Sequence, residues 1–116
     1  MLKALFWLGS SRNDIRNFPA GARRRAGYEL YLVQSGLEPS DWKPMPSVGV
    51  GVREIRVSTG REHRVFYVAK FEEGVYVLHA FEKKTQKTPK ADLDLARSRL
   101  RGLLTRRAAR KIRSRQ

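Results

Sequence analysis

The chain has 116 residues, 25 lysines and arginines against 11 acids, a formal net charge of +14, and no cysteine. That length holds one domain with one modest core, and the lack of cysteine excludes a disulfide framework or a thiolate metal site. No apolar run approaches membrane-spanning length and Met1–Gly9 is too short for a signal peptide, so the expectation is a cytoplasmic protein, away from membranes, with a polyanionic partner.

In chain order, Lys3–Leu8 predicts a short first strand that ends at Gly9, Ser10 and Ser11. Ser11 suits the N-cap of a helical turn through Arg16. Pro19 suits the first turn of a second helix and Gly36 its stop. Within that helix Ala22, Ala26, Leu30, Val33 and Leu37 recur every three or four residues, as one buried face requires. Arg23, Arg24 and Arg25 fall on the outer side and read as a solvated face. The segment 38–51 is rich in proline and glycine and reads as a loop, pinned by Trp42 and Met45.

Three β-rich runs follow, Val52–Val57, His63–Phe71 and Val75–Glu82, joined by turns at Ser58–Arg61 and Glu72–Gly74. They predict an antiparallel meander. A last helix opens with Thr88 as N-cap and Pro89 at its first position. Its apolar stripe is Leu93, Ala96, Leu100 and Leu103. The order β-α-α-β-β-β-α predicts an α+β fold. Its core would be a small twisted antiparallel sheet of about four strands, with an N-terminal helical pair and a C-terminal helix. The domain is expected to span residues 1–104, and a basic tail residues 105–116. Residues 95–116 hold nine basic side chains and no acid. The tail reads either as an RNA-gripping extension working through phosphate contacts or as a frayed, solvated end.

His63 and His79 stand apart, with no carboxylate or cysteine at ligand spacing, so neither a metal nor another cofactor is expected. His79 reads as a sheet histidine. Glu54 and Glu82 read as surface ion-pair partners, worth little in stability. That leaves the cations. Arg56, Arg64, Lys83 and Lys84 lie in or at the ends of the three strands, where they can converge on one patch. Strict alternation puts Lys83 on the face of Val77, His79 and Phe81, and Lys84 on the face of Tyr76, Leu78 and Ala80. Such a patch suits a phosphodiester, because arginine binds phosphate through a planar, permanently charged fork. It also suits a sheet edge protected by charge.

The residues Glu54-Ile55-Arg56, Gly60, Arg64-Val65-Phe66-Tyr67 and Leu78 to Pro89 resemble the RelE/HigB-type toxins of toxin–antitoxin systems. Within these the chain is most similar to the phage-derived host-killing subfamily. Phe81, Lys83-Lys84-Thr85, Lys87-Thr88 and Pro89 form its nine-residue hallmark string. The resemblance runs from Leu2 to about Leu103. It implies the α+β fold above and a metal-independent endoribonuclease that cuts mRNA in the ribosomal decoding site. It implies Arg56 and Arg64 as phosphate and transition-state clamps. Lys83 and Lys84 would occupy a basic strand-end site. Tyr67 would stack on a base or bond the phosphate, or else be a core tyrosine. Arg53, Arg61, Lys87, Arg106, Arg107, Arg110 and Lys111 complete the expected RNA contacts. The implied partners are the mRNA, the ribosome and a cognate antitoxin, expected to be a helix-turn-helix protein. The alternatives are a non-catalytic nucleic-acid-binding accessory protein of a phage or mobile element, and a degenerate toxin that only binds its antitoxin.

Overall fold

The computed structural model describes residues 1–114. The elements are β1 (Ala4–Trp7), α1 (Ser11–Arg16), α2 (Ala20–Gln34), β2 (Trp42–Pro44), β3 (Val52–Ser58), β4 (Glu62–Val68), β5 (Gly74–Glu82) and α3 (Lys90–Ser114). The predicted α+β architecture is present. The five strands form one sheet in the order β1-β5-β4-β3-β2. β3, β4 and β5 make the expected meander, while β1 joins β5 in parallel. The fifth strand, β2, lies within the expected loop and pairs antiparallel with β3. Its three residues end in Pro44, too short a run for any periodic signal.

The sheet is covered on both faces. α1 and α2 supply Ile15, Ala22, Ala26, Leu30 and Val33 to one side, against Ile55, Val57, Val65, Tyr67, Val75 and Val77. α3 supplies Ala96, Leu100 and Leu103 to the other, against Val52, Phe66, Val68, Tyr76, Leu78 and Phe81. This double burial is why β4 and β5 read as continuous apolar runs. Leu37 is exposed, because α2 has already ended. Gly36 takes φ +82 there, and the amides of Gly36 and Leu37 bond back to Val33 and Leu32, the pairing of a Schellman stop. Gly74 answers to a close approach: a Cβ would lie 2.5 Å from the carbonyl oxygen of Ala4.

Two helix starts differ from expectation by one residue. Pro19 and Pro89 sit just before α2 and α3, and their carbonyls accept the first helical bonds. Ser11 does not cap α1. It is buried, and its hydroxyl donates to the Val77 carbonyl at 3.2 Å.

The register slips between Phe66 and Tyr67, where β5 carries an extra residue. Leu78 and His79 therefore both turn toward α3. Arg99 of α3 donates from Nη1 to the Leu78 carbonyl at 2.9 Å and from Nη2 to Ser10 Oγ at 3.1 Å. His79 Nε2 lies 2.7 Å from Asp92 Oδ1. The bulge thus becomes the point where α3 is bolted to the sheet.

α3 runs through the boundary expected after residue 104 without a break, well past its last buried leucine. A polar clasp holds this part. Arg107 donates from Nε and Nη2 to Glu73 at 2.6 and 2.9 Å, and Tyr76 Oη donates to the same carboxylate at 2.9 Å. The guanidinium also sits 3.8 Å over the Phe71 ring. The Arg107 bond holds the Glu73 carboxyl down to about 2, against an ordinary 4.5. Residues Arg115 and Gln116 of the expected tail lie outside the described residues.

A depressed carboxylate stabilises the fold above its unfolded pKa and loses that contribution as pH falls through the folded one. The clasp is therefore fully effective above about pH 4.5 and fades toward pH 2. Arg107→Ala should lower stability by about 1 kcal/mol at neutral pH. It should also flatten the acid limb between those values, read by urea denaturation across pH. An acid limb identical to wild type would show that the clasp contributes nothing.

Candidate functional site

On the α3 side, alternate residues of three strands form a grid. Across β3, β4 and β5 the rows are Glu54, Phe66 and His79, then Arg56, Arg64 and Phe81. The third row is Ser58 and Glu62, with Lys83 extending it beyond the end of β5, where its amide bonds the Glu62 carbonyl at 2.7 Å. Lys43 of β2 stands opposite Glu54. α3 covers the first row, with Asp92 on His79. The second row is accessible at Arg56, whose side chain is 36% exposed, and closed at Arg64 and Phe81, while the third opens outward at Glu62, 45% exposed.

Arg56 and Arg64 are direct cross-strand partners. Like charges in that position repel. Glu54 lies between them with no solvent exposure. Its Oε1 is 3.5 Å from Arg56 Nε, 3.7 Å from Arg64 Nε and 3.9 Å from Lys43 Nζ. None of these is a hydrogen bond, and both oxygens of Glu54 lack a hydrogen-bond partner. The carboxylate acts as a shared counter-charge. Glu54 is therefore no surface ion-pair partner, as its strand pattern suggested. It sits at the centre of the cationic cluster.

Arg64 is itself buried, with 6% exposure. Its Nη1 donates to the His63 carbonyl and to Glu62 Oε1, both at 3.0 Å. Ser58 Oγ donates to the same Glu62 oxygen at 2.9 Å. The Ser58 bond first, and then the Arg64 bond, lower the Glu62 pKa. Ser58 and Glu62 carry no signal in the sequence beyond flanking a glycine turn, and only the pairing of β3 with β4 reveals them.

The other expected residues divide. Lys83 falls on this face in register with Glu62, beside Phe81 and His79. The bulge corrects the expected alternation: Val77 and Ala80 belong to the α1/α2 side, Leu78 and His79 to the α3 side. Lys84 follows Ala80 onto the other side and is exposed. Tyr67 is not at the cluster. It is 1% exposed in the core under α2, and burial raises its pKa. That fits the core tyrosine, and a base on the cationic face is out of its reach.

Arg53 pairs with Tyr67 in register, away from the cluster, and its guanidinium packs 4.1 Å over Trp42. Arg61 is in the exposed turn, 3.8 Å from Glu82. Lys87 is exposed in the segment before α3, and Arg106, Arg110 and Lys111 are exposed on α3 itself. Arg107 is engaged with Glu73, so its expected role as an RNA contact gives way to a structural one.

The histidines are both buried. His63 packs 4.3 Å from Phe18, and burial lowers its pKa. His79 is stacked on Phe81 and held by Asp92, with Arg99 Nη1 3.5 Å from its Nδ1. Among the described residues no group of three or more histidine, aspartate or glutamate side chains is placed to hold a metal ion. No described helix is long and apolar enough to cross a membrane.

The sequence matches the family described as Phage derived protein Gp49-like (DUF891) over residues 13–101, and the chain belongs to that family. The matched region contains the whole grid. No curated protein matches the chain.

Removing one partner of a buried ionic cluster leaves the others uncompensated, at a cost of roughly 3 kcal/mol or more. Glu54→Ala should therefore destabilise strongly. Glu54→Gln, which keeps the shape but not the charge, should destabilise less. Chemical denaturation of both variants measures this. A loss below about 1 kcal/mol in Glu54→Ala would mean that the arginines do not depend on this carboxylate.

Proposed function

We propose that this member of the phage-derived Gp49-like family is the toxin of a toxin–antitoxin pair, a metal-independent endoribonuclease acting on mRNA in the ribosomal decoding site. The observation that carries the reading is the side-by-side placement of a buried Arg64 and a partly exposed Arg56 on one sheet face, with Glu54 beside both. Both lie in the strand motifs that resemble RelE/HigB-type toxins.

RNA carries its own nucleophile. The 2′-oxygen attacks the adjacent phosphorus, the bond from phosphorus to the 5′-oxygen breaks, and the 2′-hydroxyl gives up its proton to solvent water. The 5′-oxygen gains a proton on leaving. The products are a 2′,3′-cyclic phosphate and a 5′-hydroxyl. The protein's task is to hold the nucleotide in line and to neutralise the charge that grows on the phosphoryl oxygens. Arg64, fixed on three sides, acts as a preorganised charge. Arg56, half-exposed, closes on the phosphate. Lys83, on the same face, supplies a further positive charge and a proton donor for the leaving oxygen. The exposed arginines of α3 add phosphate contacts. The expected partners are the ribosome, its mRNA and a helix-turn-helix antitoxin, all in the cytoplasm.

A second reading has its own support. Tyr67 is turned into the core and His79 is buried under α3. Neither side chain is placed at the cluster to take the 2′-hydroxyl proton. A protein that binds RNA on this face without cutting it, or one that only binds its antitoxin, would show the same cations.

Expressed alone in a bacterial host, the chain should stop growth and translation, and its antitoxin should restore both. Arg64→Ala should lower the rate of mRNA cleavage by about 10²–10³. Lys83→Ala should be more damaging than Lys84→Ala, since only Lys83 shares the face of Arg64. Normal growth with abundant folded protein would remove the toxin reading, and equal, mild effects of both lysine variants would remove Lys83 from the site.

A further inference from the structure

Glu62 is the one carboxylate of the open rows, and a single oxygen of it accepts two bonds. Ser58 Oγ on β3 donates at 2.9 Å and Arg64 Nη1 on β4 at 3.0 Å. A non-bridging phosphodiester oxygen makes the same demand: one anionic acceptor, satisfied by a hydroxyl and a guanidinium. We propose that Ser58 Oγ, Arg64 Nη1 and Arg56 form a subsite for one phosphodiester oxygen, and that Glu62 is its resident self-ligand, displaced when RNA binds. This rests on reading the face as an RNA site.

Exposure says which partner moves. The Arg64 side chain is 7% exposed and the Glu62 side chain 45%. Arg64 remains held by the His63 carbonyl and by Glu54 after Glu62 leaves. Glu54 cannot play the same part, because it has no exposed surface and no path to solvent. The two carboxylates thus differ in kind: Glu54 orients the arginines permanently, and Glu62 occupies their front until a better anion arrives. In the free protein this keeps Arg64 paired and preorganised. It also weakens the binding of any anion too poor to compete.

The test is binding of a short single-stranded RNA methylated at every 2′-oxygen, which cannot be cleaved. Fluorescence anisotropy at fixed salt gives the affinity. Glu62→Ala and Glu62→Gln should bind roughly tenfold tighter than wild type, the scale of one removed charge-assisted competitor. Glu72→Gln changes the net charge as Glu62→Gln does, on an exposed turn remote from the grid, and should gain less than about twofold. Adding Ser58→Ala to Glu62→Ala should reverse part of the gain. Unchanged or weaker binding by both Glu62 variants, or equal gains from Glu62→Gln and Glu72→Gln, would overturn the proposal. Tighter binding without any cleavage of unmodified mRNA by the wild type would leave the subsite standing and remove the proposed catalysis.

Discussion

A carboxylate with no exposed surface decides how this sheet can carry its charge. Arg56 and Arg64 face each other across β3 and β4, and a bare pair of guanidiniums there would drive the strands apart. Glu54 removes the conflict from within the sheet, with Lys43 completing its shell. Burying an ion is expensive, and the expense is tolerable only where opposite charges surround it. The same arrangement concentrates positive charge on one open face. A clustered cationic face and two paired strands are here two consequences of one side chain.

The rest of the fold sets the limits of that face. The bulge at Leu78 and His79 turns two consecutive side chains toward α3, and Arg99 takes the carbonyl that the bulge leaves free. α3 is thereby pinned over His79 and leaves Arg56 and Glu62 accessible at the far end of the grid. Its distal half is held by Arg107 on Glu73 and Phe71, and its exposed arginines project beyond the core as a basic rod. The positive charge of the chain is thus divided between a sheet cluster and the exposed face of α3.

Much of this was legible in the sequence. The helical periodicity of Ala22 to Val33 and of Ala96 to Leu103, and the strand runs bounded by Gly60 and Gly74, each encode their element locally. The string from Phe81 to Pro89 pointed to a phage-derived family, which the match over residues 13–101 bears out at that level. What escaped depends on pairing between distant segments. β2 is three residues long and exists only because β3 offers it an edge. The parallel partnership of β1 with β5 has no local signature. A one-residue bulge reverses which side chains share a face, so the alternation drawn for Lys83 and Lys84 was half right: Lys83 lies with His79 and Phe81, but not with Val77. Glu54 looked like any strand glutamate between Arg53 and Ile55, and its surroundings come from Lys43 and Phe66 on the two neighbouring strands. The helix beyond Leu104 has no apolar stripe to announce it, since a salt bridge and a cation–π contact hold it instead.

The proposed function has the Arg56–Arg64 face breaking a phosphodiester bond of mRNA held by the ribosome. The direct measurement is mapping of RNA ends in a purified translation system with the mRNA paused at a defined codon. New 5′-hydroxyl ends, matched by 2′,3′-cyclic phosphates, should appear only at the decoding site and be absent when ribosomes are omitted. Full-length mRNA after incubation with folded, ribosome-bound protein would contradict it.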